Sequence, residues 1–231
     1  MSKNSEVLQK IKGGLIVSCQ ALQDEPLHSS FIMSKMAYAA MLGGACGIRA
    51  NSVEDIRMIK QEVDLPIIGI YKNEYEGSDV FITPTEKEVD ALMSCAPDII
   101  AIDATDRPRP NNEKLDDFFL RVRHKYPDML FMADCATLED AIHAQEIGFD
   151  MVGTTLNGYT EKTKDSVIPN YNLMKEMVNT LKIPVIAEGG IWTPEQLKAV
   201  MDCGVFAAVI GTAITRPMNI TRRFVSAISK K

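Results

Sequence analysis

Short apolar runs alternate with amphipathic stretches from one end of the chain to the other. The runs cover residues 14–19, 46–49, 67–71, 98–102, 130–133, 151–153, 185–187 and 207–210. Each is too short for a helix and apolar enough for a strand buried on both faces. The stretches between them carry helical spacing, as in the segments 53–60 and 138–144. Strand–helix alternation predicts parallel strands with right-handed crossovers. Eight such units predict one closed α/β domain over 1–231, a single (β/α)8 TIM barrel, with an open doubly wound sheet as the alternative.

Punctuation supports the same units. Ser52, Thr85, Thr137 and Thr193 each stand three residues before an acidic or amide residue (Asp55, Glu88, Asp140, Gln196). A hydroxyl there accepts an orphan helix N–H, and its partner can reach back. Pro194 falls at a first helical position, where its missing donor costs nothing. Gly148 and Gly204 mark helix ends just before strands. The longest irregular stretches, 73–78 and 159–170, follow the third and sixth strands, which places them on the C-terminal face, where barrel active sites are built.

Two glycine-bearing turns follow the last two strands, Glu188-Gly189-Gly190 and Gly211-Thr212. In this fold the loops after strands 7 and 8 form the usual phosphate site. Glycine there lets backbone N–H groups close on phosphate oxygens. The expected donors are Gly189, Gly190, Gly211 and Thr212, with Arg216 adding charge.

Polar residues gather at the other strand ends: Gln20, Arg49, Lys72, Asp103, Asp134, Thr154, Thr155 and Glu188. So many on one face predict a polar pocket. Lys72 is the candidate base, because desolvation and the like charge of Arg49 lower a lysine pKa. Glu188 is its candidate partner acid or base. Read alone, Arg49 suits either anion or hydroxyl binding or a salt bridge to Asp55 or another surface acid. Asp103 and Asp134 can bind hydroxyls, orient Lys72 or cap the following helix. His28, His124 and His143 lie away from strand ends and read as structural.

Composition narrows the class. The 46% apolar content fills a core at 231 residues. A net charge of −6 argues against a nucleic-acid binder. The five scattered cysteines (Cys19, Cys46, Cys95, Cys135, Cys203) form no CxxC and read as free thiols in a reducing cytosol. No signal peptide or membrane span is visible, so a cytoplasmic protein is expected. No spacing suits a metal and no P-loop or GxGxxG is present, so no metal is expected.

Taken together, the strand-end motifs resemble one family. They are Ile16-Val17-Ser18-Cys19-Gln20-Ala21, Gly47-Ile48-Arg49-Ala50-Asn51, Ile68-Gly69-Ile70-Tyr71-Lys72, Ile102-Asp103-Ala104-Thr105, Ala133-Asp134-Cys135, Gly153-Thr154-Thr155-Leu156-Asn157-Gly158-Tyr159-Thr160, Ala187-Glu188-Gly189-Gly190-Ile191 and Gly211-Thr212-Ala213-Ile214-Thr215-Arg216-Pro217. The family is N-acylglucosamine-6-phosphate 2-epimerase, also called N-acetylmannosamine-6-phosphate 2-epimerase. The resemblance covers nearly the whole chain. It implies an isomerase of amino-sugar phosphates, acting in sialic acid breakdown, with no redox cofactor and a homodimeric assembly. It puts the catalytic lysine and glutamate on Lys72 and Glu188, and substrate contacts on Gln20, Arg49, Asp134 and Arg216. Three positions depart from the pattern: Asn73 and Gly190, where a basic residue is common, and Asn157, where serine is common.

Other readings fit parts of the pattern. A Schiff-base aldolase or lyase also uses a lysine at a strand end. Another phosphate-binding barrel enzyme, or a non-catalytic sugar-phosphate sensor, would use the same anchor. A helix expected over 217–228 carries Met218, Ile220, Phe224, Val225 and Ile228, more apolar surface than one narrow stripe. That excess is a physical reason to expect a second subunit.

Overall fold

In the computed structural model, which describes residues 3–229, eight parallel strands close into a barrel in sequence order. The strands are β1 (Leu15–Cys19), β2 (Gly47–Asn51), β3 (Ile67–Ile70), β4 (Ile99–Asp103), β5 (Leu130–Asp134), β6 (Met151–Gly153), β7 (Val185–Glu188) and β8 (Ala207–Ile210). The helices are α1 (Lys3–Ile11), α2 (Ser30–Leu42), α3 (Val53–Glu62), α4 (Glu86–Met93), α5 (Leu115–Lys125), α6 (Leu138–Ile147), α7 (Tyr171–Thr180), α8 (Pro194–Met201), α9 (Thr212–Thr215) and α10 (Pro217–Ile228). The closed barrel replaces the open-sheet alternative, since β1 pairs with β8 as well as with β2. Residues 1, 2, 230 and 231 of the expected domain lie outside the described residues.

Strand alternation divides the buried side chains into two clusters. Val17, Cys19, Ile48, Ala50, Ile100, Ile102, Phe131, Ala133, Val152, Ala187 and Ala208 pack outward against the helices. Their alternates, Ile16, Ile68, Ile70, Ile99, Ala101, Leu130, Met132, Met151, Ile186, Ala207 and Val209, fill the barrel interior. A period of two therefore buries both faces of each strand, which is why the runs are continuously apolar. The bottom of the barrel is closed by α1, whose Val7 and Ile11 belong to the interior cluster. Gly13 N–H ties the end of this plug to the Phe206 carbonyl at 2.7 Å.

The caps are where the sequence places them. Ser52, Thr137 and Thr193 accept from the N–H of Asp55, Asp140 and Gln196. Thr85, Thr137 and Thr193 form capping boxes, and Gly148 ends α6 in the left-handed conformation at φ 99°. Above β3 the chain does not go straight to α4. It turns back in a hairpin, with Lys72 paired to Ile82 and Tyr75 to Ser78. The returning arm sits against β4, where the Asp103 N–H donates to the Ile82 carbonyl at 3.1 Å.

Candidate active site

The same alternation that packs the barrel floor sets the chemistry of its mouth. Two residues above Ile16, Gly47, Ile70, Ala101, Met132, Gly153 and Ile186 stand Ser18, Arg49, Lys72, Asp103, Asp134, Thr155 and Glu188. Inward positions are thus apolar below and polar above. Asp103, Asp134 and Glu188 are the last residues of their strands rather than the first beyond them, and Arg49 lies inside β2. Ladder hydrogen bonds fix their backbones, so these side chains are presented from rigid elements.

Arg49 is the centre of a buried network. Its side chain is 1% exposed, and Nη2 donates to Asp134 Oδ2 at 2.6 Å. Nη1 donates to Asp134 Oδ1 at 3.1 Å and meets Glu188 Oε2 at 3.2 Å. The Thr155 hydroxyl donates to Asp134 Oδ1 at 2.6 Å and lies 3.3 Å from Glu188 Oε2. Burial opposes the guanidinium charge, but Asp134 and then Glu188 more than offset it, so the Arg49 pKa is raised further. Arg49 Nε is buried with no partner among the described residues. The salt bridge to Asp55 does not form; Asp55 accepts from the Ser30 hydroxyl at 2.6 Å instead.

Lys72 completes the mouth. Burial first, then the charges of Arg49 and Arg216, lower its pKa to about 8, against the opposing pull of Glu188 and Glu25. Its ammonium lies 5.9 Å from the Phe81 ring centroid, on the returning arm of the hairpin. Its backbone N–H donates to Asn51 Oδ1 at 2.8 Å, which ties the lysine to the end of β2. Glu188 is pushed the other way: burial raises its pKa, Arg49 draws it back, and Asp134 raises it again.

The other candidates separate into groups. The Gln20 amide donates to the Ser18 hydroxyl at 2.8 Å, both side chains being buried. Arg216 is at the start of α10 and is paired with Glu25 at 2.8 Å, in the loop after β1. Neither Asp103 nor Asp134 caps a helix or bonds Lys72. Asp103 accepts from Thr105 and Arg107, and burial raises its pKa. Thr137 caps α6, and Lys114 stands at the cap position of α5. None of the three histidines is at a strand end; His28 Nδ1 lies 2.9 Å from the Ala21 carbonyl and His143 meets Asp116 at 3.0 Å.

The two glycine turns have the form expected of an anion cradle. Gly189 and Gly190 have φ of 106° and 71°. A Cβ on Gly190 would lie 2.7 Å from Ile168 Cγ1 and 2.9 Å from its backbone carbon, so a basic side chain has no room there. Among the described residues, the N–H groups of Gly189, Gly190, Gly211 and Thr212 donate to no protein acceptor. Asn157, another departure, is structural: its amide donates to the Ala136 carbonyl at 2.7 Å.

Thr155 is one of the strand-end polar residues expected from the sequence; Asn51 and Ser18 are not among them. The signal for Ser18 and Thr155 is their inward register, two residues above Ile16 and Gly153. Asn51 carries none, because its role depends on the hairpin. Among the described residues no group of His, Cys, Asp and Glu has the arrangement of a metal site, and no helix is long and apolar enough to cross a membrane.

Residues 33–230 match the family described as "Putative N-acetylmannosamine-6-phosphate epimerase". A protein of Listeria innocua named "Putative N-acetylmannosamine-6-phosphate 2-epimerase" is 54% identical over 98% of this chain and 99% of its own length. A protein of the same name from Enterobacter sp. (strain 638) is 55% identical over 96% of this chain and 95% of its own. The solved N-acetylmannosamine-6-phosphate 2-epimerase from Clostridium perfringens superposes with a TM-score of 0.92 at 53% identity, over 96% of both chains. A thiamine phosphate pyrophosphorylase from Pyrococcus furiosus, at 18% identity and a TM-score of 0.62, shares the fold alone.

Proposed function

This chain belongs to the N-acetylmannosamine-6-phosphate 2-epimerase family, and we propose that it is the isomerase, N-acylglucosamine-6-phosphate 2-epimerase, that interconverts N-acetylmannosamine 6-phosphate and N-acetylglucosamine 6-phosphate. The observation that carries the site assignment is Lys72, an inward lysine above β3 with its pKa lowered to about 8, beside Glu188. At pH 7.5 roughly a quarter of such amines are neutral, against about one in a thousand for an ordinary lysine.

Inversion at C2 requires loss of the proton α to the C1 aldehyde of the open-chain sugar. Neutral Lys72 takes that proton, the C2–H bond breaks, and its electron pair moves into the enolate with charge on O1. Arg49, whose Nε has no partner among the described residues, supplies a cation for that oxygen. Asp134 and Thr155 hold Arg49 and Glu188 in place. A proton returned to C2 on the opposite face, from the Lys72–Glu188 pair, gives the epimer. The anion cradle of Gly189, Gly190, Gly211 and Thr212, with Arg216, anchors the 6-phosphate, and Gln20 contacts the sugar.

A homodimer and a cytoplasmic setting complete the reading. Phe224, Val225 and Ile228 of α10 are 72%, 51% and 83% exposed, an apolar face suited to a second subunit. Five unpaired cysteines suit a reducing compartment. Proton NMR of N-acetylmannosamine 6-phosphate with the protein in D2O tests the reaction. The expected result is the second epimer together with loss of the C2 proton signal. An unchanged spectrum overturns the assignment, and light scattering at one chain's mass overturns the dimer.

A further inference from the structure

Lys72 depends for its position on a hairpin rather than on the barrel ladder. Direct β3–β4 pairing ends at Gly69 and Ile100. Above that level the returning arm is wedged between the two strands. Tyr71 N–H donates to the Thr83 hydroxyl at 3.2 Å, and that hydroxyl donates to the Ala101 carbonyl at 2.7 Å. The Asn73 N–H donates to the Phe81 carbonyl at 3.0 Å. Apart from the Asn51 bond to its backbone, a lysine on such a segment depends on how the hairpin is anchored.

One carboxylate provides an anchor. Glu88, 2% exposed in the first turn of α4, accepts from the Thr85 N–H at 3.0 Å and from the Thr85 hydroxyl through Oε2. Through Oε1 it accepts from the Asn73 side-chain amide at 3.0 Å and the Tyr75 hydroxyl at 2.9 Å. The other two capping boxes differ. Asp140 accepts the N–H groups of Ala136 and Thr137 at 3.0 Å each, and Gln196 those of Trp192 and Thr193 at 2.7 and 3.2 Å. Among the described residues no side chain from another segment bonds to either. A cap needs one oxygen; Glu88 uses its second on the residue next to Lys72 and on a residue two further along. Its hydrogen bonds to Thr85, Asn73 and Tyr75 outweigh burial and hold it ionised.

We propose that Glu88 is a positioning residue for the epimerase reaction: bridging the start of α4 to Asn73 and Tyr75, it fixes the segment that aims the Lys72 amine at C2. The proposal rests on Lys72 being the proton-transfer group. It also gives the departure at Asn73 a reason. A neutral amide bonds Glu88 without placing a third cation beside the amine, which already faces Arg49 from β2 and Arg216 from the start of α10, with Glu188 from β7 and Glu25 from the loop after β1 opposing them.

Steady-state kinetics on the full chain, from about pH 6 to about pH 10, test it with Glu88→Ala, Glu88→Gln, Lys72→Ala and Asp140→Ala. In Glu88→Ala, kcat is expected to fall about 10- to 100-fold with KM changed less than about threefold, because the amine is misplaced while the phosphate anchor stands. The rise of kcat/KM is expected to move above pH 8 as the loosened amine reaches water. Glu88→Gln restores most of kcat, since an amide keeps the cap, as Gln196 does, and still bonds Tyr75. Asp140→Ala loses an equivalent cap on α6 and keeps wild-type kcat. A Glu88→Ala enzyme that loses no more kcat than Asp140→Ala, with an unmoved pH profile, overturns the proposal. If Glu88→Ala does not fold, the Asn73→Leu, Tyr75→Phe double variant, which leaves the cap intact, carries the test; wild-type kcat and pH profile in it overturn the proposal equally. Activity retained in Lys72→Ala defeats the site reading itself, whereas an inactive Lys72→Ala beside a fully active Glu88→Ala defeats only the role of Glu88.

Discussion

The floor and the mouth of the barrel are built by the same strands in the same register, yet they do opposite things. The floor is Ile16, Ile68, Ile99, Leu130, Met132, Met151 and Ile186, sealed by α1. Higher along the same inward rows, the mouth holds Arg49, Lys72, Asp103, Asp134 and Glu188. Burying the floor stabilises the fold at about 25 cal/mol for each Å² of apolar surface. Burying the mouth costs free energy unless every charge is paired. Four of the five charged groups there have a partner within hydrogen-bonding distance. The exception is Lys72, which forms no ion pair among the described residues and whose proton is held loosely, chiefly because of burial. The stable half of the interior supports a half in which one charge is left unpaired, at the residue proposed to move the proton.

Lys72→Ala should separate the two halves most sharply. A fall in kcat of about 10²–10⁴-fold or more is expected from loss of a proton-transfer group, with Tm unchanged or higher because a buried charge is gone. Kinetics and a thermal melt on one preparation decide it; near wild-type turnover removes Lys72 from the mechanism. Arg49→Met should do the reverse to stability. It strands the buried Asp134 carboxylate and the half-buried Glu188, and breaking such a buried pair costs about 3–5 kcal/mol. Urea denaturation measures this, and a loss below about 1 kcal/mol, the scale of a surface ion pair, would mean that the network is not held as a unit.

On the floor, Met132→Ala removes a fully buried side chain and should cost about 2–5 kcal/mol. Turnover of the molecules that remain folded should be close to wild type. A stability loss without a matching fall in kcat, measured below the unfolding transition, is the mirror image of Lys72→Ala. If kcat falls as far as stability does, floor and mouth are not separable.

The pH dependence follows from the direction of the Lys72 shift. A pKa lowered to about 8 makes kcat/KM rise with pH through that value, as the neutral amine accumulates. The linked stability has the same sign. Between about pH 8 and the unfolded lysine value near 10.4, the unfolded chain binds more protons than the folded one, so stability rises with pH over that window. Below pH 8 the destabilisation by the charged amine is fully present. Lys72→Met should flatten this contribution, and unfolding curves at matched pH values check it.

The division between floor and mouth was readable from the sequence in its outline. The runs at 151–153 and 207–210 coincide with β6 and β8, and the helix expected over 217–228 coincides with α10. Period two, capping residues and short loops are local signals, and they located Lys72, Asp134 and Glu188 at strand ends. What stayed hidden was non-local. Arg49 and Asp134 are 85 positions apart, and closure of the barrel, not spacing, brings them together. The hairpin above β3 was read as loop because its pairing is two isolated bridges. The plug α1 carries little sequence signal, since only Val7 and Ile11 of it are buried.

The smallest expected effect tests the edge of the mouth. Gly190 has φ 71°, where an alanine is strained by about 1–2 kcal/mol. An added Cβ also meets Ile168 at 2.7 Å, so the turn must shift away from the loop that carries Ile168. Gly190→Ala is therefore expected to move one side of the proposed phosphate cradle and to leave the Arg49 network and Lys72 in place. KM should rise about tenfold, the equivalent of about 1.4 kcal/mol, while kcat changes little. Inorganic phosphate, as a competitive inhibitor, should weaken by the same factor, because it probes the cradle without the sugar. If KM rises but phosphate inhibition does not weaken, the turn contacts the sugar rather than the phosphate. If kcat falls instead, the cradle and the proton-transfer pair are mechanically one unit, and the line between anchor and chemistry must be drawn lower in the barrel.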